Sequence, residues 1–430
     1  MNFTSQYKSK LISISDALNK VKSNFEIVCS LGPCEPSLFL ANLHKVKDKV
    51  ENISVVTMLS LQEYKFNSDP SMKGHFINET TFYGGSARCC HNHGLTSYIP
   101  THLRYAAINR LKYIKPNLFV GAVSPMDKHG FFSLSLSTVY EIESLEAADM
   151  VILEVNENLP RVHGDTLVHL SQADYIYENN CPVKEIDIPA VSDKDLTIGR
   201  YIASLIPDGA TIQLGIGGIP NAVCQSLLNK KDLGVHTEMI SEGICDLYNS
   251  GVITNRKKTL HRNKIVGSFA LGTKKLYDFL NDNVAIELKS CAYTNNPYII
   301  GKNDNMISIN TTLAIDLTGQ CASESIGYKQ YSGTGGQTDT GVGAQLSKGG
   351  KSIIALYSTA KNNTISTICA QHYAGAAISF SRNDVDYVVT EYGIANLKGK
   401  SIAKRIAELI SISHPDFRAA LKKDANKYLY

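Results

Sequence analysis

No stretch of this 430-residue sequence approaches the ~20 consecutive apolar residues that a membrane-spanning helix requires. The first ten residues, Met1 to Lys10, are polar and carry no apolar run of signal-peptide length. An excess of charge of one sign is also missing, since 43 Lys and Arg face 40 Asp and Glu. So small an imbalance supplies no global field for a nucleic acid or an anionic membrane, though a local basic patch for a phosphorylated ligand stays open. The ten cysteines form no CxxC pair and no compact ligand spacing, and several sit in apolar segments such as EIVCS and GICDL. They read as reduced core residues, and the whole chain is expected to stay in the cytosol. Cys89 and Cys90 beside His91 and His93 do not match a tetrahedral metal template, so no metal is expected.

What is present suits a folded globular protein: 43% apolar and 19% charged residues. The length points to two large domains. Buried-type apolar runs of strand length recur at 25–30, 53–59, 118–123, 150–155, 211–214, 264–269, 284–288, 353–357 and 385–390. Helical patterns at 201–206, 222–228 and 402–410 lie among them, so the class is α/β with mainly parallel sheets.

One pattern is used twice. SLGPCEPSLFLANLHKV and QLGIGGIPNAVCQSLLNKK share a strand end, Leu-Gly, a tight turn, Pro and a helix, and each is followed by another apolar strand, SVVTML and GVHTEMI. A weaker echo pairs DMVILEVNENLP with DYVVTEYGIANL. Two related tandem domains follow, residues 1–190 and 191–430, joined within IDIPAVSDKD at 186–195.

Three segments can carry chemistry. GIGGIP, with Gly215, Ile216, Gly217, Gly218 and Ile219, follows a strand and opens a helix, where free backbone N–H groups can meet an anion or a thioester. It lacks the GxGxxG register of a dinucleotide fold and the Lys of a phosphate loop, and a plain strand-to-helix connection explains it too. YSGTGGQTDTGVGAQLSKGG at 331–350 is rich enough in Gly to read as a binding loop rather than packed core, with a linker as the alternative. Glu238 follows an apolar strand among Val235, Met239 and Ile240. A carboxylate stripped of water there would be a better nucleophile toward a carbonyl, and a capping or ion-paired carboxylate is the alternative. Arg88, His91, His102 and Arg104 are candidates for a substrate carboxylate or the phosphates of a ligand, or are ordinary structural residues.

Together QLGIGGIPNAV, HTEMISEG, TNNP, IDLTGQ, SGTGGQTD and TEYGIANLKGKS, with FYGGSAR, YIPTHL and VSPMDKHGFFSLS in the first half, resemble the acetyl-CoA hydrolase/transferase family, nearest its 4-hydroxybutyrate and butyrate CoA-transferase branch. The resemblance runs in order across nearly the whole chain. It implies two tandem CoA-transferase-like domains of the NagB/RpiA type and a ping-pong transfer of CoA between short-chain acids through glutamyl anhydride and glutamyl-CoA thioester intermediates. The family nucleophile falls on Glu238, a thioester contact on Asn295, and an oxyanion contact on Gly335 and Gly336. CoA contacts fall on Gly215 through Ile219, on Gly336, and on Leu313 and Lys361. Coenzyme A is then substrate and covalent intermediate, with no resident cofactor, and a homodimer or homotetramer is implied. An acyl-CoA hydrolase, a non-catalytic acyl-CoA-binding protein and a sugar-phosphate isomerase of similar fold are the alternatives.

Overall fold

A computed structural model describes residues 2–428 as two compact units. One comprises the chain up to Asp187 together with Val266–Thr294, the other Ile188–Ile265 and Asn295 onward.

The first unit is built on a seven-stranded sheet. Its strands are β1 (Glu26–Cys29), β2 (Ile53–Thr57), β3 (Phe76–Thr80), β4 (Thr96–Tyr98), β5 (Leu118–Val123), β6 (Met150–Val155) and β7 (Tyr175–Glu178). They lie in the order β4-β3-β2-β1-β5-β6-β7, and every pairing is parallel. β1 and β5 are buried along their full length, which is why both read as continuous apolar runs.

The second unit carries a six-stranded sheet of β8 (Thr211–Gln213), β9 (Gly234–Val235), β10 (Met306–Thr311), β11 (Lys351–Ala355), β12 (Tyr387–Thr390) and β13 (Gly393–Asn396). The order is β9-β8-β10-β11-β12-β13, parallel except for the last pair. In each unit the first strand has a neighbour on both sides, the second pairs on one side of it, and the chain later crosses to the other side. That crossing is a topological switch point, and ligands of open α/β sheets bind beyond the carboxyl ends of the strands there.

The stronger sequence echo therefore marks equivalent places, the turns after β1 and β8. The weaker echo does not. β6 lies two strands from β1, whereas β12 lies three from β8. A buried strand followed by an acid and a polar turn is too common a motif to fix a position.

The division into units falls after Asp187, and Val266–Thr294, part of the second domain expected at 191–430, groups with the first unit. Val266–Thr294 packs with the first unit because its backbone is bonded there. Thr138 and Ala270 N–H donate to Ser268 and Leu136 carbonyls at 2.8 Å each, and Asp165 and Leu288 N–H donate to Leu288 and His163 carbonyls at 2.7 and 2.9 Å. Chain continuity gives no sign of such an excursion.

Among the described residues no helix is long and apolar enough to cross a membrane.

Candidate active site

Glu238 is held three residues beyond β9, and several groups fix that strand. β9 pairs with β8 on one side. On the other, side chains stand in for a neighbouring strand: Asn255 Oδ1 accepts from Val235 N–H at 2.9 Å, and the buried Lys258 donates its Nζ to the Val235 carbonyl at 2.6 Å. Thr237 Oγ donates to the Leu214 carbonyl at 3.2 Å, tying this turn to the one after β8. Glu238 thus leaves the sheet at the carboxyl edge, one strand from the glycine turn.

Its carboxylate is only partly exposed. Asn295, fully buried, donates Nδ2 to Glu238 Oε2 at 3.1 Å. Gly336 touches the same carboxylate so closely that a Cβ there would overlap Glu238 Oε2 and Asn295 Nδ2. Burial pushes the Glu238 carboxyl up to about 7, and the nearby Asp339 charge adds to the rise, while Asn295 and the Gly336 N–H oppose it. The arrangement is a poorly hydrated carboxylate, half ionised near neutrality, with two N–H donors at its oxygens.

Glu238, Asn295 and Gly336 are therefore in direct contact. Gly335 adjoins them in the left-handed region, φ 53°. The turn Gly215 through Ile219 follows β8, the strand paired with β9, with Ile216 exposed and Ile219 buried. Gly217 has φ 121° and ψ −178°, a conformation open essentially to Gly alone. Leu313 lies just past β10 and is partly exposed. Lys361 sits with Asn362 and Asn363 at the exposed tip of a hairpin, all three in the left-handed region, on a separate loop from the Glu238 contacts.

Two expectations about this region change. The helix Gly218–Ser226 was expected to offer its N-terminus to a ligand anion, but the buried Asp195 carboxylate already lies against it, 2.9 Å from where a Gly218 Cβ would be. Asp195 is held by Ser192 N–H and hydroxyl at 2.8 and 2.6 Å and by the Tyr357 hydroxyl at 2.6 Å. The stretch 331–350 was expected to be a binding loop throughout, but only 331–336 and 347–350 are loop. Gln337–Leu346 is a helix. Its Gly341 and Gly343 serve packing, since a Cβ at either would lie 2.6 Å from Phe380 or Ile300. Close helix contact, not flexibility, uses those glycines.

In the first unit Arg88 donates to the Tyr83 carbonyl at 3.2 Å, His91 Nδ1 meets the Tyr83 hydroxyl at 2.6 Å, and Arg104 lies over the Tyr105 ring at 4.3 Å. His102 is partly exposed at the start of a 3-10 turn. Cys90 is buried and Cys89 exposed, so their thiols face different surroundings. Among the described residues no group of three or more His, Cys, Asp or Glu is arranged to hold a metal. Sequence reasoning missed Asp339 and Asp195. Asp339 stands in the quoted GGQTD, where only the glycines drew attention.

Sequence models of the acetyl-CoA hydrolase/transferase N-terminal and C-terminal domains match residues 1–187 and 272–425. The chain is 45% identical over 428 residues to the 4-hydroxybutyrate coenzyme A transferase of Clostridium kluyveri, covering 99% of this chain and 100% of that one. It is 41% identical over 426 residues to the succinyl-CoA:cyclohexane-1-carboxylate CoA transferase of Geobacter metallireducens, covering 99% and 97%. The crystal structure of RipA from Yersinia pestis superposes with a TM-score of 0.95 at 35% identity, covering 100% of this chain and 99% of that one.

Proposed function

The chain belongs to the acetyl-CoA hydrolase/transferase family, and from that premise we propose that Glu238 is the nucleophile of a CoA-transferase. The enzyme moves CoA from a short-chain acyl-CoA to a carboxylate acceptor such as acetate, butyrate or 4-hydroxybutyrate. The observation that carries Glu238 is its contact with Asn295 Nδ2 and Gly336 at the carboxyl edge of the second sheet.

In this reading the ionised Glu238 attacks the acyl-CoA carbonyl, expelling CoA thiolate and forming an acyl-glutamyl anhydride. The thiolate attacks the glutamyl carbonyl, which frees the first acid as its carboxylate and leaves a glutamyl-CoA thioester. The acceptor carboxylate attacks that thioester to give a new anhydride and thiolate. The thiolate then attacks the new acyl carbonyl, so acyl-CoA leaves and Glu238 returns as a carboxylate. Asn295 Nδ2 and the Gly336 N–H, which point at the carboxylate in the resting enzyme, serve each tetrahedral oxyanion, at roughly 3 kcal/mol per donor. Burial supports the first step, because a carboxylate with little water to shed attacks more readily. Gly215 through Ile219, Leu313 and Lys361 are assigned to CoA, whose distant portions hold the reacting atoms in register. The reading extends to a cytosolic setting, in keeping with ten free cysteines, and to a homodimer or homotetramer, to be measured by light scattering.

Borohydride reduction of enzyme exposed to acyl-CoA, followed by peptide mass analysis, tests the assignment. A reduced adduct on Glu238, with turnover lost by about 10³-fold or more in Glu238→Ala, supports it. Full turnover in that variant rejects it.

A further inference from the structure

Gln213 closes β8, directly before the glycine turn, and is 4% exposed. Its side-chain oxygen is fully engaged: Oε1 accepts from Ser308 Oγ at 3.1 Å, from the Ile309 N–H at 3.1 Å and from Asn310 Nδ2 at 3.4 Å. A backbone N–H can only donate, so the Ile309 bond fixes which end of the amide is oxygen. The other end is left over. Nε2 has no hydrogen-bond partner among the described residues, and it keeps some contact with solvent. An amide so deeply placed seldom leaves its N–H groups unmatched unless something else completes them.

This spare donor stands beside the nucleophile. β8 and β9 pair through Ile212 and Val235, and continuing that register sets Gln213 opposite His236, two residues before Glu238. Just beyond, the Thr237 hydroxyl donates to the Leu214 carbonyl at 3.2 Å, so both segments leave the sheet together. On its other side Gln213 pairs with Ser308, whose hydroxyl lies 3.0 Å from that of Thr340. Thr340 in turn donates its hydroxyl to the Gly336 carbonyl at 3.0 Å, and Gly336 touches the Glu238 carboxylate. The amide is thereby braced against the same residues that hold the nucleophile, all within the second unit.

We propose, building on the CoA-transferase reading, that Gln213 Nε2 binds the carboxylate of the acceptor acid. Asn295 Nδ2 and the Gly336 N–H already point at the oxygens of Glu238 itself. The acid brings two more. When it opens the glutamyl-CoA thioester, one of its oxygens bonds to the glutamyl carbon and CoA leaves as the thiolate. The other oxygen shares the acid's charge until that bond forms, then becomes the acyl carbonyl oxygen of the anhydride, and no proton moves. A hydrogen bond from Gln213 to this second oxygen is charge-assisted, stronger than a neutral one. It turns the first oxygen toward the glutamyl carbon, and a neutral amide does so without quenching the charge that attacks. The contact falls on the carboxylate alone, so it is the same for acetate and for butyrate.

The test is a single turnover of the second half-reaction in the full-length enzyme. Glutamyl-CoA enzyme, prepared with acyl-CoA, is mixed with acetate or butyrate, and the acid concentration that gives half the maximal rate of acyl-CoA formation is read. Glu238 is then a thioester and does not titrate, so its ionisation cannot imitate the effect. Gln213→Glu keeps an oxygen for Ser308, Ile309 and Asn310 and replaces the donor by a second oxygen. Loss of a hydrogen bond to a charged group should raise the half-saturating concentration by about 10–150-fold at about pH 8, equally for both acids. Protonating the new carboxyl restores an O–H donor, so the ratio of variant to wild type should fall as pH is lowered. Gln213→Met removes donor and acceptor together and should show the same loss at every pH; it decides if Gln213→Glu does not fold. Ser308→Ala weakens the brace but keeps the donor, and its half-saturation should stay near wild type. No change in the Gln213 variants, an equal loss in Ser308→Ala, or a rise for one acid alone overturns the proposal. Wild-type enzyme that forms no glutamyl-CoA thioester would defeat the transferase reading, whereas a thioester that forms, with acid dependence unaltered in the variants, would defeat only this one.

Discussion

Asn295→Ala isolates the electrostatics of the nucleophile. Asn295 Nδ2 donates to Glu238 Oε2 at 3.1 Å and holds down a carboxyl that burial has lifted to about 7. A hydrogen bond to a charged group is worth about 1.5–3 kcal/mol, and one pKa unit corresponds to about 1.4 kcal/mol, so its loss should raise Glu238 by about one to two units. Attack needs the ionised form. The rate of the first half-reaction therefore rises with pH through about 7 in the wild type, and in the variant that rise moves to about 8–9. At pH 7 the ionised fraction falls from about one half to about 1–10%, a loss of about 5–50-fold. The high-pH plateau reports a separate role: if Asn295 also serves the oxyanion, the plateau drops by a further ~10²–10³-fold. Release of labelled acid from acyl-CoA in a single turnover, followed against pH, reads both quantities. An inflection that stays near 7 in the variant would refute the claim that this amide sets the charge state of Glu238.

Gly217→Ala forces a side chain onto φ 121°, costing about 1–3 kcal/mol, so Tm should fall. If the turn holds CoA, KM for acyl-CoA should also rise more than kcat falls, and an unchanged KM would remove this turn from the CoA contacts. Glu238→Gln should stabilise the fold. Because the folded-state value is raised, from the ordinary 4.5 to about 7, wild-type stability is full below about pH 4.5 and declines as pH rises to about 7. The variant should therefore unfold at a higher temperature than wild type at pH 8, with the gap closing toward pH 4.5, and a lower Tm at pH 8 would contradict the burial argument.

Much of the architecture could be read from residues, and the omissions have physical causes. All nine apolar runs became strands, and for the seven in the two large sheets the reason is that buried parallel strands need apolar side chains on both faces. β10, next to the switch strand β8, escaped notice because Ser308 and Asn310 interrupt MISINT. Both are spent inside the fold: Ser308 Oγ and Asn310 Nδ2 each donate to Gln213 Oε1, at 3.1 and 3.4 Å, and the Thr340 hydroxyl lies 3.0 Å from each. β3 was hidden likewise, since Asn78 accepts from Thr57 and Glu79 pairs with Arg110. A polar strand residue looks solvent-facing until its partner is known. The contact of Asn295 and Gly336 with Glu238 spans about a hundred residues of chain, so only the family resemblance, not local pattern, could suggest it. Gly341 and Gly343 misled in the opposite direction, because composition does not separate a glycine that frees the backbone from one that admits a neighbour.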